Sequence, residues 1–180
     1  MSQIPKIVQV QRKAPLDSVI GMLVWEGQDV VIVSEISDSL DPDGFCFLPK
    51  ADILQIEDDF EHRDFYVAAA SIWENADLDM AAIDGQGTYA ALMQSMSRNQ
   101  SLVALHLEIA DPDIVYVGRV RRVLSDRIGF TNLSQYGNWV LKTQTIKIQQ
   151  ITKIELSTRY LRSLNGVIAA RGPVDSADAE

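Results

Sequence analysis

The chain has 180 residues, 47% of them hydrophobic, and a formal net charge of -9. This apolar content suffices for a packed core and argues against a disordered chain. A single cysteine, Cys46, excludes an internal disulfide, and with His62 and His106 far apart it provides no zinc-binding pattern. We find neither a membrane-spanning apolar stretch nor a secretory signal, so we expect a cytoplasmic protein without membrane contact. Because no metal-binding or cofactor-binding motif is present, we expect no metal and no cofactor.

The charge is unevenly distributed along the chain. Residues 1–57 carry 4 basic and 9 acidic side chains, residues 58–112 carry 2 and 10, and residues 113–180 carry 10 and 6. General nucleic-acid binding requires a surplus of Lys and Arg to neutralise phosphates, so the overall acidity argues against it. The basic last third keeps nucleic acid open as a partner, but a protein is the favoured one.

The first third of the chain has the pattern of short strands. Val19 to Trp25 and Val30 to Ile36 are rich in apolar and β-branched residues and are separated by a turn. The sequence "DPDG", Asp41 to Gly44, predicts a second turn, and "FCFLP" and "ADILQIE" predict further strands. Strands at this spacing predict a first small β-barrel over residues 1–60.

Helical periodicity replaces the strand pattern in residues 61–100, which we interpret as a helical connecting segment. A first helix is predicted from Phe65 to Ala76, and its wide apolar face should dock on a barrel through Phe65, Ile72 and Trp73. Thr88 is the predicted cap of a second helix, whose apolar face carries Leu92, Met93 and Met96.

We predict a second small β-barrel with a C-terminal helix over residues 101–168 and a polar tail over residues 169–180. Strands are indicated from Val103 to Ile109, Ile114 to Leu124 and Arg127 to Leu133, followed by "WVLKTQTIKIQ" and "ITKIEL". The helix after Leu156 has Ser157 or Thr158 as its cap, and we expect four side chains to point inward: Tyr160, Leu161, Leu164 and Ile168.

The two strand-rich segments align as an internal repeat. Gly21 falls on Gly118 and Asp29 on Asp126, and one extra residue in the second copy places Ile53 on Ile151. We therefore predict that Gly21–Glu57 and Gly118–Glu155 superpose as two five-stranded barrels in tandem. One continuous sheet would contradict that prediction.

Three runs of sequence carry a resemblance to a known family: "VVIVSEISDSLDPDGFCFL", "EIADPDIVYVGRV" and "IQQITKIELSTRYLRSL". Over residues 16–168 the chain resembles uncharacterised bacterial proteins with two small Sm-like or SH3-like barrels joined by a helical segment. The resemblance implies a mainly β fold with accessory helices, and it implies no activity or catalytic residue. RNA-binding Sm proteins carry an Arg-Gly pair near the fourth strand, where this chain reads "TQTIKIQQI", so the chain departs from the pattern for uridine binding.

Four arginines and three tryptophans are the candidate binding residues. Phosphate contact is one interpretation of Arg119, Arg121, Arg122 and Arg127, but strand alternation places Arg122 on the opposite face from Arg119 and Arg121, so a solvated face is the alternative. The candidate interface aromatics are Trp25, Trp73 and Trp139, with packing between barrel and helix as the alternative.

No motif in the sequence indicates catalysis. His106 and Glu108 share a strand face, but no nucleophile lies near them in sequence, and Gly-rich phosphate loops and triad spacings are absent. We therefore expect a non-catalytic protein-binding or scaffold module, with an acidic immunity or inhibitor protein as one specific case, because opposite charges steer association. The alternative is a nucleic-acid-associated Sm-like protein that uses its basic second barrel.

Overall fold

One antiparallel sheet organises residues 6–73 and 88–171, the part of the chain that the computed structural model describes. Its ten strands are β1 (Ile7–Arg12), β2 (Val19–Glu26), β3 (Val30–Ile36), β4 (Pro42–Pro49), β5 (Ile53–Glu57), β6 (Val103–His106), β7 (Val115–Val123), β8 (Arg127–Leu133), β9 (Trp139–Lys147) and β10 (Lys153–Leu156). Three helices accompany the sheet: α1 (Arg63–Ser71), α2 (Tyr89–Arg98) and α3 (Arg159–Arg171). No helix within these residues is long and apolar enough to cross a membrane.

The strand order divides the sheet into two halves with the same arrangement. Across the sheet the order is β5-β1-β2-β3-β4-β10-β6-β7-β8-β9. The first five strands along the chain therefore form one half, and the second five repeat its order. The halves meet where β4 pairs with β10, with Phe47 opposite Ile154 and Phe45 opposite Leu156. We call this β4–β10 pairing the joint.

The mainly β class is confirmed, but the prediction of two separate closed barrels is wrong. The described strands form one open sheet, because the outer edge of β4 pairs with β10 of the other half instead of closing the first half on itself. The division of the chain into domains at residues 60, 100 and 168 stays a prediction.

The predicted residue correspondence nevertheless recurs inside the single sheet. The β2–β3 register shifts between Leu23 and Trp25, and the β7–β8 register shifts between Val120 and Arg122, 97 positions later in both cases. The next strand pairs shift at a second equivalent pair of positions, again 97 apart. Because bulges bend a strand and increase its twist, these matching irregularities give both halves the same local bends.

Two equivalent glycines make the bend possible. A Cβ atom on Gly21 would lie 2.2 Å from the carbonyl oxygen of Ser34, and one on Gly118 would lie 2.1 Å from the carbonyl oxygen of Thr131. Both contacts are with backbone, which cannot move aside as a flexible side chain can. The close approach of neighbouring strands at these points therefore requires glycine.

The turn predicted at Asp41 to Gly44 lies slightly earlier in the chain. The Leu40 amide donates to the Ser37 carbonyl at 2.8 Å, and β4 already begins at Pro42. Leu40 adopts a φ of 63°, and Gly137, at the equivalent point of the second half, adopts 78°. The left-handed conformation recurs, although only the second half places glycine there.

Helix α2 fills the core shared by the two halves. The Thr88 hydroxyl caps the helix as predicted, accepting a hydrogen bond from the Ala91 amide at 3.2 Å. Its buried side chains, Leu92, Met93 and Met96, belong to one hydrophobic cluster with residues from both halves, among them Phe47 and Phe130. This part of the segment between the halves is thus a core element.

Helix α1 docks on the sheet through a different face from the predicted one. Phe65 is 56% exposed and Ile72 78% exposed, so the predicted contacts of these two side chains are wrong. Ala70 is buried against Ile7 and Ile36, and Trp73 packs at the border of the same cluster. Tyr66 and Val67 of α1 pack against this cluster too, so the helix docks through the face of residues 66, 67 and 70, and Phe65 and Ile72 lie toward solvent. Ala76 lies outside the described residues.

Helix α3 begins as predicted and extends further than predicted. The Thr158 hydroxyl accepts from the Leu161 amide at 3.2 Å, and Leu161 is buried against Leu133. Tyr160 is exposed, so its predicted inward orientation is wrong. Residues 169–171 belong to the helix instead of the predicted polar tail, and residues 172–180 lie outside the described residues.

Candidate functional site

The structure brings two of the four candidate arginines together on one tryptophan. The guanidinium carbon of Arg119 lies 4.7 Å from the ring centre of Trp139, and that of Arg121 lies 5.5 Å from it. Guanidinium groups at these distances interact with the negative face of the ring. We call Arg119, Arg121 and Trp139 the arginine platform.

The arginine platform concentrates positive charge at a half-buried position. Burial, and then the neighbouring charge of Arg121, lower the pKa of Arg119, although an arginine remains protonated at neutral pH. Arg121 is held by hydrogen bonds to Gln100 at 2.9 Å and to Thr131 at 3.2 Å. The arrangement therefore presents two cations beside an aromatic ring, which suits an anion or a stacked planar group.

The other two candidate arginines do not join this group. Arg127 forms an ion pair with its neighbour Asp126, at 2.8 Å between Nε and Oδ1. The stem of Arg122 lies against Gly129 on the adjacent strand. A phosphate contact through all four arginines stays a prediction, and the platform is its best-formed part.

The remaining tryptophans lie in packing positions. Trp25 is half-buried against the core shared by the two halves. Trp73 donates from its indole nitrogen to the Leu40 carbonyl at 2.8 Å, which ties the end of α1 to the turn before β4. These contacts favour the packing alternative for Trp25 and Trp73.

A polar cluster at the joint was not found from the sequence. Glu155 of β10 lies 2.8 Å from the Lys153 ammonium and 3.0 Å from Nε2 of His106. The same face carries Glu35 of β3 and buried Cys46 of β4. The sequence alone paired His106 with Glu108, but β10 enters beside β6 and supplies Glu155 instead.

The surroundings lower the pKa of Glu155 and raise the pKa values of Glu35 and Cys46. Burial alone would raise the pKa of Glu155, but His106 and Lys153 outweigh it and lower that pKa to about 2. Burial raises the pKa of the Glu35 carboxyl, and it raises that of the Cys46 thiol well above its usual range. Cys46 is therefore a protonated, buried thiol, which is a poor nucleophile. We interpret the cluster as a structural ion network.

A second ionic contact also joins the two halves. The guanidinium of Arg12 in β1 binds the carboxylate of Glu108, and it also donates to the Thr152 carbonyl at 3.0 Å. The Arg12 pair and the Glu155 cluster both tie residues near β10 to the rest of the sheet. Both groups of charged residues therefore link the two halves.

The two outer strands, β5 and β9, are the most accessible part of the sheet. Each pairs with a single neighbour within the described part of the chain. Leu54 of β5 is 65% exposed and Leu141 of β9 is 81% exposed, with exposed Val140 beside it. An outer strand presents unpaired N–H and C=O groups that can pair with another chain. We call β5 and β9 the two free edges.

Within residues 6–73 and 88–171, no group of three or more His, Cys, Asp or Glu side chains could hold a metal ion.

No protein-family model, curated protein or solved structure matches the chain.

Proposed function

We propose that the chain is a non-catalytic protein-binding or scaffold module that holds its partner at a free edge of the sheet. The observation that carries this proposal is the exposure of Leu54 and Leu141 on strands that each pair with one neighbour among the residues that the structure describes. A partner segment can add a strand to such an edge, with backbone hydrogen bonds giving affinity and side chains giving specificity.

The finer architecture is part of the same proposal. We infer that each half is a five-stranded Sm-like or SH3-like unit that stays open and shares its edge with the other. The support is the strand order, which recurs in both halves together with the bulge positions. An acidic immunity or inhibitor protein remains one specific case, since a net charge of -9 would speed association with a basic partner.

The test is affinity capture from the native cell with three forms of the protein. Leu141→Ser should reduce recovery of the partner, because it removes apolar area at the β9 edge. Val115→Ser is the matched control, since Val115 is also exposed but belongs to β7, which pairs with a neighbouring strand on each side. Equal recovery with all three forms, each shown to be folded by its thermal transition, would contradict the proposal.

Nucleic-acid binding is the second candidate, and the arginine platform is the observation that favours it. Guanidinium groups can contact phosphate, and an exposed part of a tryptophan ring can stack on a base. The test is titration with single-stranded RNA at about 150 mM salt, where non-specific binding has dissociation constants of roughly 10⁻⁴–10⁻⁶ M. Much tighter binding that Arg119→Glu with Arg121→Glu weakens strongly would place this candidate first.

A further inference from the structure

We propose that the β9 edge of one chain pairs with the β5 edge of a second copy of the same chain, head to tail. This inference rests on the proposed function, because it assumes that the free edges bind protein, and it identifies the partner as another copy. The pairing would reproduce between chains the joint that β4 and β10 form within each chain.

The internal repeat provides the first argument. Strand β9 occupies in the second half the place that β4 has in the first, since Ile146 pairs with Ile128 as Leu48 pairs with Val31. Strand β5 likewise corresponds to β10, because each pairs with the first strand of its half. The two free edges are therefore the counterparts of the two edges that already bind each other at the joint.

The joint also fixes the register that a second joint would have. At the joint Phe47, Cys46 and Phe45 face Ile154, Glu155 and Leu156. The repeat correspondence assigns the equivalent residues on the free edges. Thr145, Gln144 and Thr143 of one copy would face, in that order, three residues of the other copy: Ile56, Glu57 and Asp58. The predicted contact thus has named residue pairs.

Charge complementarity provides the second argument. Strand β9 carries Lys142 and Lys147 and no acidic residue. The segment of residues 52–61, which contains β5, carries no Lys or Arg and five acidic residues: Asp52, Glu57, Asp58, Asp59 and Glu61. The register given above places Lys142 opposite Asp59 and leaves Lys147 near Asp52. Opposite charges across the contact favour this pairing and its register.

The same charges disfavour the symmetric alternatives. Two β9 edges would bring lysines together, and two β5 edges would bring carboxylates together, so both are opposed by repulsion. A head-to-tail contact is heterologous, and it produces rings if the rotation between copies closes and filaments if it does not.

The contact between copies should be weaker than the internal joint. The joint buries Phe45 and Phe47, whereas the corresponding β9 residues are Thr143 and Thr145. Less apolar area would be buried, and the charge pairs would lie in solvent, where salt screens them. We therefore expect an assembly that depends on concentration and dissociates as salt is raised.

Sedimentation of the purified 180-residue chain at low salt is the first test. We expect species above the 20.0 kDa of one chain, growing with concentration and shrinking with added salt. Lys142→Glu combined with Lys147→Glu should weaken association by about tenfold or more, while Arg122→Glu with Arg162→Glu, an equal charge change away from the edges, should leave it unchanged. A monomer under all these conditions overturns the inference.

Cysteine crosslinking tests the direction and the register. Glu57→Cys and Gln144→Cys are prepared as separate proteins. Each is exposed to oxidant by itself, and a mixture of the two reduced proteins is exposed to oxidant in parallel. A disulfide-linked dimer should form only in the mixture, and Ile109→Cys mixed with Glu57→Cys should give none. Dimers of Gln144→Cys with itself would show symmetric pairing and overturn the inference.

The outcomes separate this inference from the proposed function. If the purified chain is monomeric while capture of another protein still depends on Leu141, the binding function stands and self-association fails. If the chain self-associates but no other protein depends on the edge, the edges serve self-assembly alone. If neither is observed, both proposals fail.

Discussion

Arg12 and Glu108, 96 positions apart in the sequence, form a two-pronged ion pair that ties the first strand of one half to the segment after the first strand of the other. The Arg12 side chain is almost fully buried, whereas that of Glu108 keeps 23% of its surface exposed. The Thr152 hydroxyl donates a third hydrogen bond to the same carboxylate, at 2.5 Å.

This asymmetry predicts unequal effects of removing the two partners. Glu108→Ala leaves a buried guanidinium without its carboxylate and should lower the free energy of unfolding by about 3–5 kcal/mol. Arg12→Met should cost less, because the remaining carboxylate can turn toward water. Urea unfolding of both variants measures the difference, and an equal or reversed order would contradict the assignment of Arg12 as the more deeply buried partner.

The two close-approach glycines should be equally intolerant of a side chain. Gly21→Ala and Gly118→Ala each place a Cβ against a backbone oxygen, so each should be destabilising beyond the usual cost of about 1 kcal/mol for a point mutation. Gly166→Ala is the matched control, since it meets no atom within 4 Å in the middle of α3. It should stabilise the protein by about 0.5–1 kcal/mol through helix propensity. Thermal unfolding of the three variants tests the contrast.

Ile154 and Ile148 should differ in their contribution to stability. Ile154 is fully buried in the core shared by the halves, and Ile148 is only half-buried at its border. Ile154→Ala should cost about 2–5 kcal/mol, and Ile148→Ala should cost clearly less. Similar losses in denaturant unfolding would mean that Ile148 is more tightly packed than its burial indicates.

Acid should destabilise the joint through Glu155. Its folded pKa of about 2 lies below the ordinary value of 4.5, so its stabilising effect is complete above pH 4.5 and is lost as the pH falls toward 2. Glu155→Gln should remove this part of the pH dependence and lower stability at neutral pH. Unfolding curves between pH 7 and about pH 2 measure it, and an unchanged slope in the variant would contradict the shift.

Glu35 at the same joint should act with the opposite sign. Its pKa is raised, mainly by burial, so ionisation costs stability as the pH rises through that pKa. Glu35→Gln should therefore be less harmful at neutral pH than Glu155→Gln and should stabilise the protein there if the burial effect dominates over attraction to Lys153. A larger loss for Glu35→Gln than for Glu155→Gln at pH 7 would reverse this assignment.

Most of the individual strands and helices could be predicted from local sequence patterns. Strands β3 and β8 were predicted with the bounds that the structure has, because runs of β-branched and apolar residues between turns have few alternatives. The α2 face and its Thr88 cap were also predicted, since helical periodicity and capping depend on residues within a few positions of each other. The residue correspondence between the two halves was visible for the same reason, but the two closed barrels predicted from it were wrong.

The pairing of these elements with one another could not be predicted from local patterns. Any strand edge can pair with another, so no local pattern indicates that β4 pairs with β10. This pairing forms the joint, brings the Glu155 cluster together and leaves β5 and β9 as the two free edges. Trp139 meets Arg119 and Arg121 because β7, β8 and β9 are adjacent in the sheet. The face of α1 was mispredicted because its apolar residues surround much of the helix, and β1 and its neighbours pack against the face that carries Tyr66, Val67 and Ala70. Contacts between residues distant in sequence therefore fix the candidate sites, while the sequence pattern fixes the elements that carry them.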